Sequence, residues 1–424
     1  MQWIVLAIAV LMYLLIVLFP ERKSWIALGA ALLTILLGVV GPLEAVTELI
    51  NWNILMIFVG SLVIAELFIY SKVPAAIADE IIDRAPNVGV AMVAILIMTG
   101  IISAFVENVA TVLVMAPIAL ALTKKIKIPP TYFMVGLAVM ANLQGTATLV
   151  GDPPSMIFAN FAHYGFNDFF IYHGKPSVFF AVQLGMLVGA LFFYRFFSRG
   201  GTEKIKVDRE EIVSYVPSVL LIFMILGLAL ASFLQSGVSL LAGLIVLGLA
   251  CAGLLWYRGF EKKSRATTLH LIRSLDWDTV LFLIGIFIVL GAVTEVGLLD
   301  RFAAFLSVLV GHNVLLGFIV IVLVSTLISG FVDNVPYIII MLPVAAKLSA
   351  GLSLQPELYM FGLLIGSCMG GNLTPFGASA NVVSVGLLKK QNINLRFADW
   401  LKIGIPFTLL TTLASSLFVW IVWR

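Results

Sequence analysis

Two acidic residues occupy matching places in an otherwise apolar chain. Glu107 stands in S-A-F-V-E-N-V, from Ser103 to Val109, and Asp333 stands in S-G-F-V-D-N-V, from Ser329 to Val335. A third acid, Asp152, ends the run N-L-Q-G-T-A-T-L-V-G-D, just before Pro153 and Pro154. The corresponding run G-G-N-L-T-P-F-G-A-S-A-N-V-V brings Asn372, Thr374, Ser379 and Asn381 but no acid. A carboxylate kept in apolar surroundings is costly unless it holds an ion or a proton, which makes Glu107, Asp152 and Asp333 candidate sites for Na⁺ or H⁺. Asn108 and Asn334 follow two of these acids, head apolar arms and suit the role of N-cap. A helix that starts in mid-membrane aims free N–H groups and its positive dipole end into a cavity, where an anion or a neutral hydroxylated solute can be held. Thr146, Thr148, Asn372 and Thr374 add oxygens, and Gly145, Gly151, Gly371 and Gly377 let the backbone turn. Structural readings stand beside these. Asp152 before two prolines also reads as an ordinary helix start. Glu107 and Asp333 also read as braces for two chain reversals, and the glycines as aids to helix packing.

The elements that position these residues must be membrane helices. The hydrophobic fraction is 62%, the charged fraction 11% and the mean hydropathy +1.13, more apolar surface than a soluble chain of 424 residues can hide. Crossing a hydrocarbon core of about 30 Å takes roughly 17–25 helical residues. Ten stretches qualify, at 2–19, 25–41, 53–71, 131–159, 177–194, 213–233, 237–256, 278–297, 358–388 and 403–422. Those at 131–159 and 358–388 are interrupted by Gly, Pro and polar residues, and are read as broken helices. Two further apolar segments, 88–123 and 314–346, are split by Glu107-Asn108 and Asp333-Asn334. Their second arms look short, 15 residues from Val109 to Thr123 and fewer in the other, which suggests re-entrant hairpins that enter and leave by one face. The first segment lacks a basic start and a small-residue cleavage site, so it is read as a retained span. Cys251 and Cys368 offer neither a disulfide framework nor metal spacing.

The chain is also a duplication. The two E/D-N-V segments lie 226 residues apart, and the same offset pairs Met115 with Met341, Pro117 with Pro343, Gly145 with Gly371, Thr148 with Thr374 and Gly151 with Gly377. Trp52 pairs with Trp277 and Gly60 with Gly285 at 225. This divides the chain into a first repeat at 1–195, a cytoplasmic linker at 196–211 and a second repeat at 212–424. Five spans per half invert the second half relative to the first. Of the 25 basic residues, 21 fall on one side, Arg22 and Lys23 among them as loop residues, while Lys175, Arg301, Lys347 and Arg424 fall on the other. The rich side is then cytoplasmic and both termini lie outside an inner (plasma) membrane.

Four motifs in order, S-x-F-V-E-N-V-A-T, G-T-A-T-L-V-G-D-P-P, F-V-D-N-V-P and G-G-N-x-T-x-x-G-A-S-A-N-V-V, resemble the ion transporter superfamily, and within it the branch of arsenite permeases, sodium/proton antiporters and the melanosomal P protein. The resemblance spans essentially the whole chain. It implies an all-α polytopic fold of two inverted repeats, each with five transmembrane helices and a re-entrant hairpin, usually in a homodimer that works by elevator-like movement. It also implies a first site at Asn108, Thr111, Thr146, Thr148 and Asp152, and a second at Asn334, Asn372, Thr374, Ser379 and Asn381. E-N-V and D-N-V replace the Ser-Asn-Thr tips of the dicarboxylate branch, and acids there repel an anionic substrate unless neutralised. The leading expectation is therefore a proton-coupled efflux permease for arsenite or antimonite, neutral hydroxylated solutes that suit breaks rich in Asn, Thr and Gly and free of Lys and Arg. A sodium/proton antiporter using Glu107, Asp152 and Asp333, and an anion transporter or channel like the P protein, are the alternatives. No P-loop, nucleotide fingerprint or zinc motif is present, so neither an enzyme nor a cofactor beyond a coupling ion is expected. An ATPase could only be a separate subunit, and no nucleic-acid partner is expected.

Overall fold

A computed structural model of the chain describes residues 1–197, 210–234, 240–298, 301, 304 and 313–424. The first half opens with α1 (Gln2–Leu18), α2 (Lys23–Leu36), α3 (Trp52–Tyr70) and α4 (Val73–Arg84). A hairpin of α5 (Val88–Ser103) and α6 (Asn108–Lys125) follows, then an interrupted helix of α7 (Thr131–Gly145) and α8 (Pro153–Ala162), and α9 (Val178–Phe197). The second half runs α10 (Val216–Phe233), α11 (Leu241–Gly259), α12 (Arg265–Ser274) and α13 (Trp277–Glu295). Its hairpin is α14 (Val314–Ser329) and α15 (Asn334–Gly351), its interrupted helix α16 (Pro356–Gly370) and α17 (Ser379–Lys390), and α18 (Phe397–Trp423) closes the chain. Most of the linker expected at 196–211 lies outside the described residues, as does the start of the span expected at 237–256.

Among the described residues eight helices are long and apolar enough to cross a membrane, and the chain is an integral membrane protein. The halves of the interrupted helices, 15 and 10 residues in the first and 15 and 12 in the second, are each too short to cross alone. One expectation is corrected. The second hairpin arms are not short, since α6 and α15 each run 18 residues and rank among the eight. The first arm does not stop at Thr123 but takes in Lys124 and Lys125 as its last turn, where cations complement the helix dipole. Lys347 likewise lies inside α15, which continues to Gly351. Arm length therefore gives no reason to call the hairpins re-entrant.

Packing pairs the halves reciprocally. Helix α11 lies along α3 as α2 lies along α13, and each contact is made at a glycine. A Cβ on Gly60 would meet the Val246 backbone at 3.0 Å, and one on Gly285 would meet that of Ala27 at 2.6 Å. The hairpin arms cross between the halves as well, with α6 against α17 and α15 against α8. Both chain reversals and both helix breaks are thereby drawn toward one place. Close approach at small residues is how membrane helices gain dispersion contacts without a hydrophobic driving force.

Candidate functional site

At the first reversal the helix begins one residue earlier than expected. Glu107, not Asn108, is the N-cap of α6, and its Oε2 accepts from the Ala110 N–H at 3.0 Å. Asp333 caps α15 in the same way, its Oδ1 accepting from the Val335 N–H at 3.1 Å. A carboxylate can accept from the free N–H groups of a first helical turn more strongly than an amide can. Asn108 and Asn334 are thus first helical residues rather than caps, and each side-chain carbonyl accepts from a serine hydroxyl of the preceding arm, Ser103 at 2.8 Å and Ser329 respectively. Asp152 precedes Pro153 at the head of α8, yet its carboxylate makes no capping bond. Its Oδ2 instead accepts from Asn108 Nδ2 at 3.1 Å, which joins the first reversal to the first break.

Glu107, Asn108, Asp152, Asp333, Asn334 and Ser379 face one cavity of about 40 Å³. That is room for a few waters or a partly hydrated ion, roughly a tenth of the about 300–1,000 Å³ typical of organic-ligand pockets. The other expected site residues are buried beside it and spend their polar groups on the scaffold. Thr148 Oγ1 donates to the carbonyl of Ala104, and Thr374 Oγ1 to that of Gly330, a matched pair of pegs from break to hairpin. Thr111 Oγ1 donates to Val106 O at 3.3 Å and Thr146 Oγ1 to Asn142 O at 3.5 Å. Asn372 and Asn381 both accept from Asn142 Nδ2, at 2.9 and 2.7 Å, while Asn381 Nδ2 donates to Gly371 O and Thr374 O at 2.9 and 2.8 Å. Each break glycine sits against the opposing chain. A Cβ on Gly145 would overlap the Asn108 side chain, and one on Gly371 would come within 3.1 Å of Asn334 Oδ1.

Asn142 is the centre of this buried knot. Asn142→Ala leaves two carbonyl oxygens, on Asn372 and Asn381, without their donor, and is expected to cost about 1–3 kcal/mol for each orphaned group. Thermal unfolding in detergent checks this, and an unchanged midpoint would reduce the knot to an incidental contact.

The cavity wall also includes Lys23, Phe58, Asn142, Asp276 and Thr279, which sequence reasoning did not assign to a site. Lys23 was read as a loop lysine and the site as free of Lys and Arg. The structure corrects both. Lys23 starts α2, its Nζ lies 3.6 Å from Asp333 Oδ2 and 5.3 Å from the centroid of the Phe282 ring, and its side chain is 15% exposed. Asp276 caps the neighbouring α13, bonding the Thr279 N–H at 3.0 Å, and Asp278 of the same helix accepts from the Ser24 hydroxyl. The available signal was Asp276-Trp277-Asp278 opening an apolar helix, since acids at a first turn of a span seek a partner.

Helices broken at a shared charged cavity, inside a bundle of membrane-crossing helices, define a secondary transporter. The chain belongs to the citrate transporter family CitMHS, whose model matches residues 13–366 and 270–424. It is similar to an uncharacterized transporter of Mycobacterium tuberculosis, 28% identical over 99% of both chains. An uncharacterized transporter of Synechocystis is 25% identical over 87% of this chain and 86% of that one. The mouse P protein is 24% identical over 96% of this chain and 58% of its own length, in keeping with the superfamily branch read from the motifs. In fold, the chain resembles the Alcanivorax borkumensis YdaH transporter (TM-score 0.59, 15% identity, 92% of this chain and 87% of that one). It also resembles Neisseria gonorrhoeae MtrF, described within a class of antimetabolite efflux pumps (TM-score 0.54, 14% identity, 92% and 83%). The family and the bacterial relatives are named for transport rather than for catalysis.

Proposed function

We propose that this transporter couples flux to a small cation held by the carboxylates of the cavity, and that sodium/proton exchange is the activity the geometry supports best. One observation carries the reading. Glu107, Asp152, Asp276 and Asp333 share about 40 Å³ with one lysine. Four acids facing a single ammonium leave this cavity with an excess of carboxylates, which a proton or a metal cation would offset. Carboxylate and amide oxygens from Asp152, Glu107, Asn108 and Asn334 are hard donors suited to Na⁺, and exchange of that ion for H⁺ follows from their competition for the same oxygens. This reverses the order of expectation drawn from sequence, because most of the Asn and Thr groups assigned to an arsenite site are engaged with backbone or with one another.

Proton-coupled efflux of arsenite or antimonite is the second reading. It is favoured by the neutral groups left at the cavity wall, Asn108, Asn334 and Ser379, and by the absence of any Coulomb penalty for an uncharged solute there. An anion such as citrate, or one passing through a channel, would meet the repulsion of four acids. In this account the two halves are inverted, both termini lie outside an inner membrane, and a homodimer moves its hairpins and broken helices as a unit.

Proteoliposomes test it with a panel of Na⁺, arsenite, citrate and chloride. The expected result is Na⁺-dependent alkalinisation of the lumen without arsenite. Arsenite flux accelerated by a proton gradient supports the second reading, and flux of citrate or chloride with no linked Na⁺ or H⁺ movement sinks the cation cage.

A further inference from the structure

The duplication places a second scaffold position opposite the one that holds Lys23, and the two differ in charge. Gly60 and Gly285 are repeat mates, and they press on Val246 and Ala27 respectively, so Ala27 of α2 corresponds to Val246 of α11. Counting back one helical turn matches Lys23 with Ala242 and Ser24 with Gly243. A second contact agrees: Ser24 donates to Asp278, while the Gly243 N–H donates to Asn53 Oδ1 at 2.8 Å, and Asp278 and Asn53 are themselves mates at the 225 offset. Asp276, the cap of α13, matches Asn51, the cap of α3. Where one face of the scaffold carries Lys23, Asp276 and Asp278, the other carries Ala242, Asn51 and Asn53.

The hairpin tips stand at the charged face, with Asp333 paired to Lys23. The uncharged position borders a separate cavity of about 630 Å³, lined by Asn53 and Ala242 on the scaffold side and by Met156 and Asn160 of α8 on the other. Among the described residues lining it there is none from the hairpin tips.

We propose that Lys23 is a one-sided counter-charge, which takes the place of the transported cation at Asp333 when the tips reach this face and so drives release there. This rests on the cation reading above. At the far face Ala242 supplies no ammonium, so the same acids must keep their cation or proton to stay neutral. A carboxylate cage met by an ammonium at one face alone binds its cation less tightly at that face than at the other, while the ion gradients set the net direction of flux. Glu107, Asp152 and Asp276 face the same cavity as the lysine and Asp278 lies on the neighbouring helix, so the other ionisable groups nearby are acids, while its ion pair is with Asp333. The cost of separating unit charges a few ångströms apart at an effective dielectric near 20 is worth well over a tenfold change in affinity.

Half-saturating Na⁺ is measured from each face of oriented proteoliposomes. Lys23→Ala is expected to lower it at least about tenfold at the Lys23 face, to slow turnover because release is impaired, and to leave the opposite face unchanged. Lys23→Arg should restore the wild-type value, which a residue needed only for packing would not do. Ala242→Lys, placed against the large cavity where the side chain has room, should raise half-saturation at least about tenfold at the opposite face. Should Lys23→Ala fail to fold, Ala242→Lys decides alone. Cation flux in the wild type with unshifted half-saturation in the variants overturns this inference only, whereas a wild type that moves neither Na⁺ nor H⁺ overturns the cation reading together with it.

Discussion

Asp152→Asn is expected to abolish cation-coupled flux, a fall of at least about a hundredfold or roughly 2.7 kcal/mol, while leaving the fold intact. The asymmetry between those outcomes comes from what the carboxylate does and does not bond. It heads α8 but caps nothing, and its one side-chain partner is Asn108 Nδ2 at 3.1 Å. An asparagine of the same shape can still accept that bond through its Oδ1, so the link between hairpin and break survives and only the charge is lost. The two prolines after it preorganise the helix start without help from the side chain. Flux driven by Na⁺ or proton gradients, beside thermal unfolding in detergent, separates the roles. A variant that stays folded and transports at the wild-type rate would leave Asp152 as a helix start and nothing more.

The second large effect is structural. Gly151→Ala and Gly377→Ala should each destabilise by about 3 kcal/mol or more and lose transport, at the upper end of what overpacking costs. A Cβ at Gly151 would lie 2.5 Å from Gly145 O and 2.8 Å from Ser103 O, and at Gly377 the contacts are 2.6 Å from Gly371 O and 2.8 Å from Gly330 O. Every one of these is a backbone carbonyl, so no side chain can swing away. Relief requires moving a hairpin tip off its break, and the tips carry Glu107 and Asp333. Gly248→Ala is the matched control, since that glycine has nothing within 4 Å and lies inside a helix. It should be neutral or stabilising by about 0.5–1 kcal/mol. Equal midpoints for all three variants would show that the break glycines serve flexibility alone.

Much of this was readable along the chain because a duplicated sequence labels its own important positions. Glu107 and Asp333, Gly151 and Gly377, and Thr148 and Thr374 were matched by offset, and each pair makes equivalent contacts in space. Lys23 escaped notice for the converse reason. Its mate is Ala242, so the repeat does not mark it, and a lysine between two apolar spans reads as a loop residue by hydropathy. Its burial depends on α13 bringing Asp276 and on α15 bringing Asp333, from parts of the chain more than 250 residues away. The caps were misread by one residue because acid and amide stand side by side, and local propensity barely separates them.

Composition and periodicity determined by themselves that the chain crosses a membrane, that matching motifs recur at one offset, and which residues interrupt its helices. Those properties are local or repetitive: apolar run length, a constant offset, a proline or glycine where a helix must stop. The partners of each interruption were decided only in three dimensions. Which hydroxyls bond carbonyls, which acids face the cavity and which cation answers them depend on how α2, α13 and the two hairpins meet. Such long-range pairing is chosen by the balance of desolvation and charge in the assembled cavity, a quantity no single segment contains.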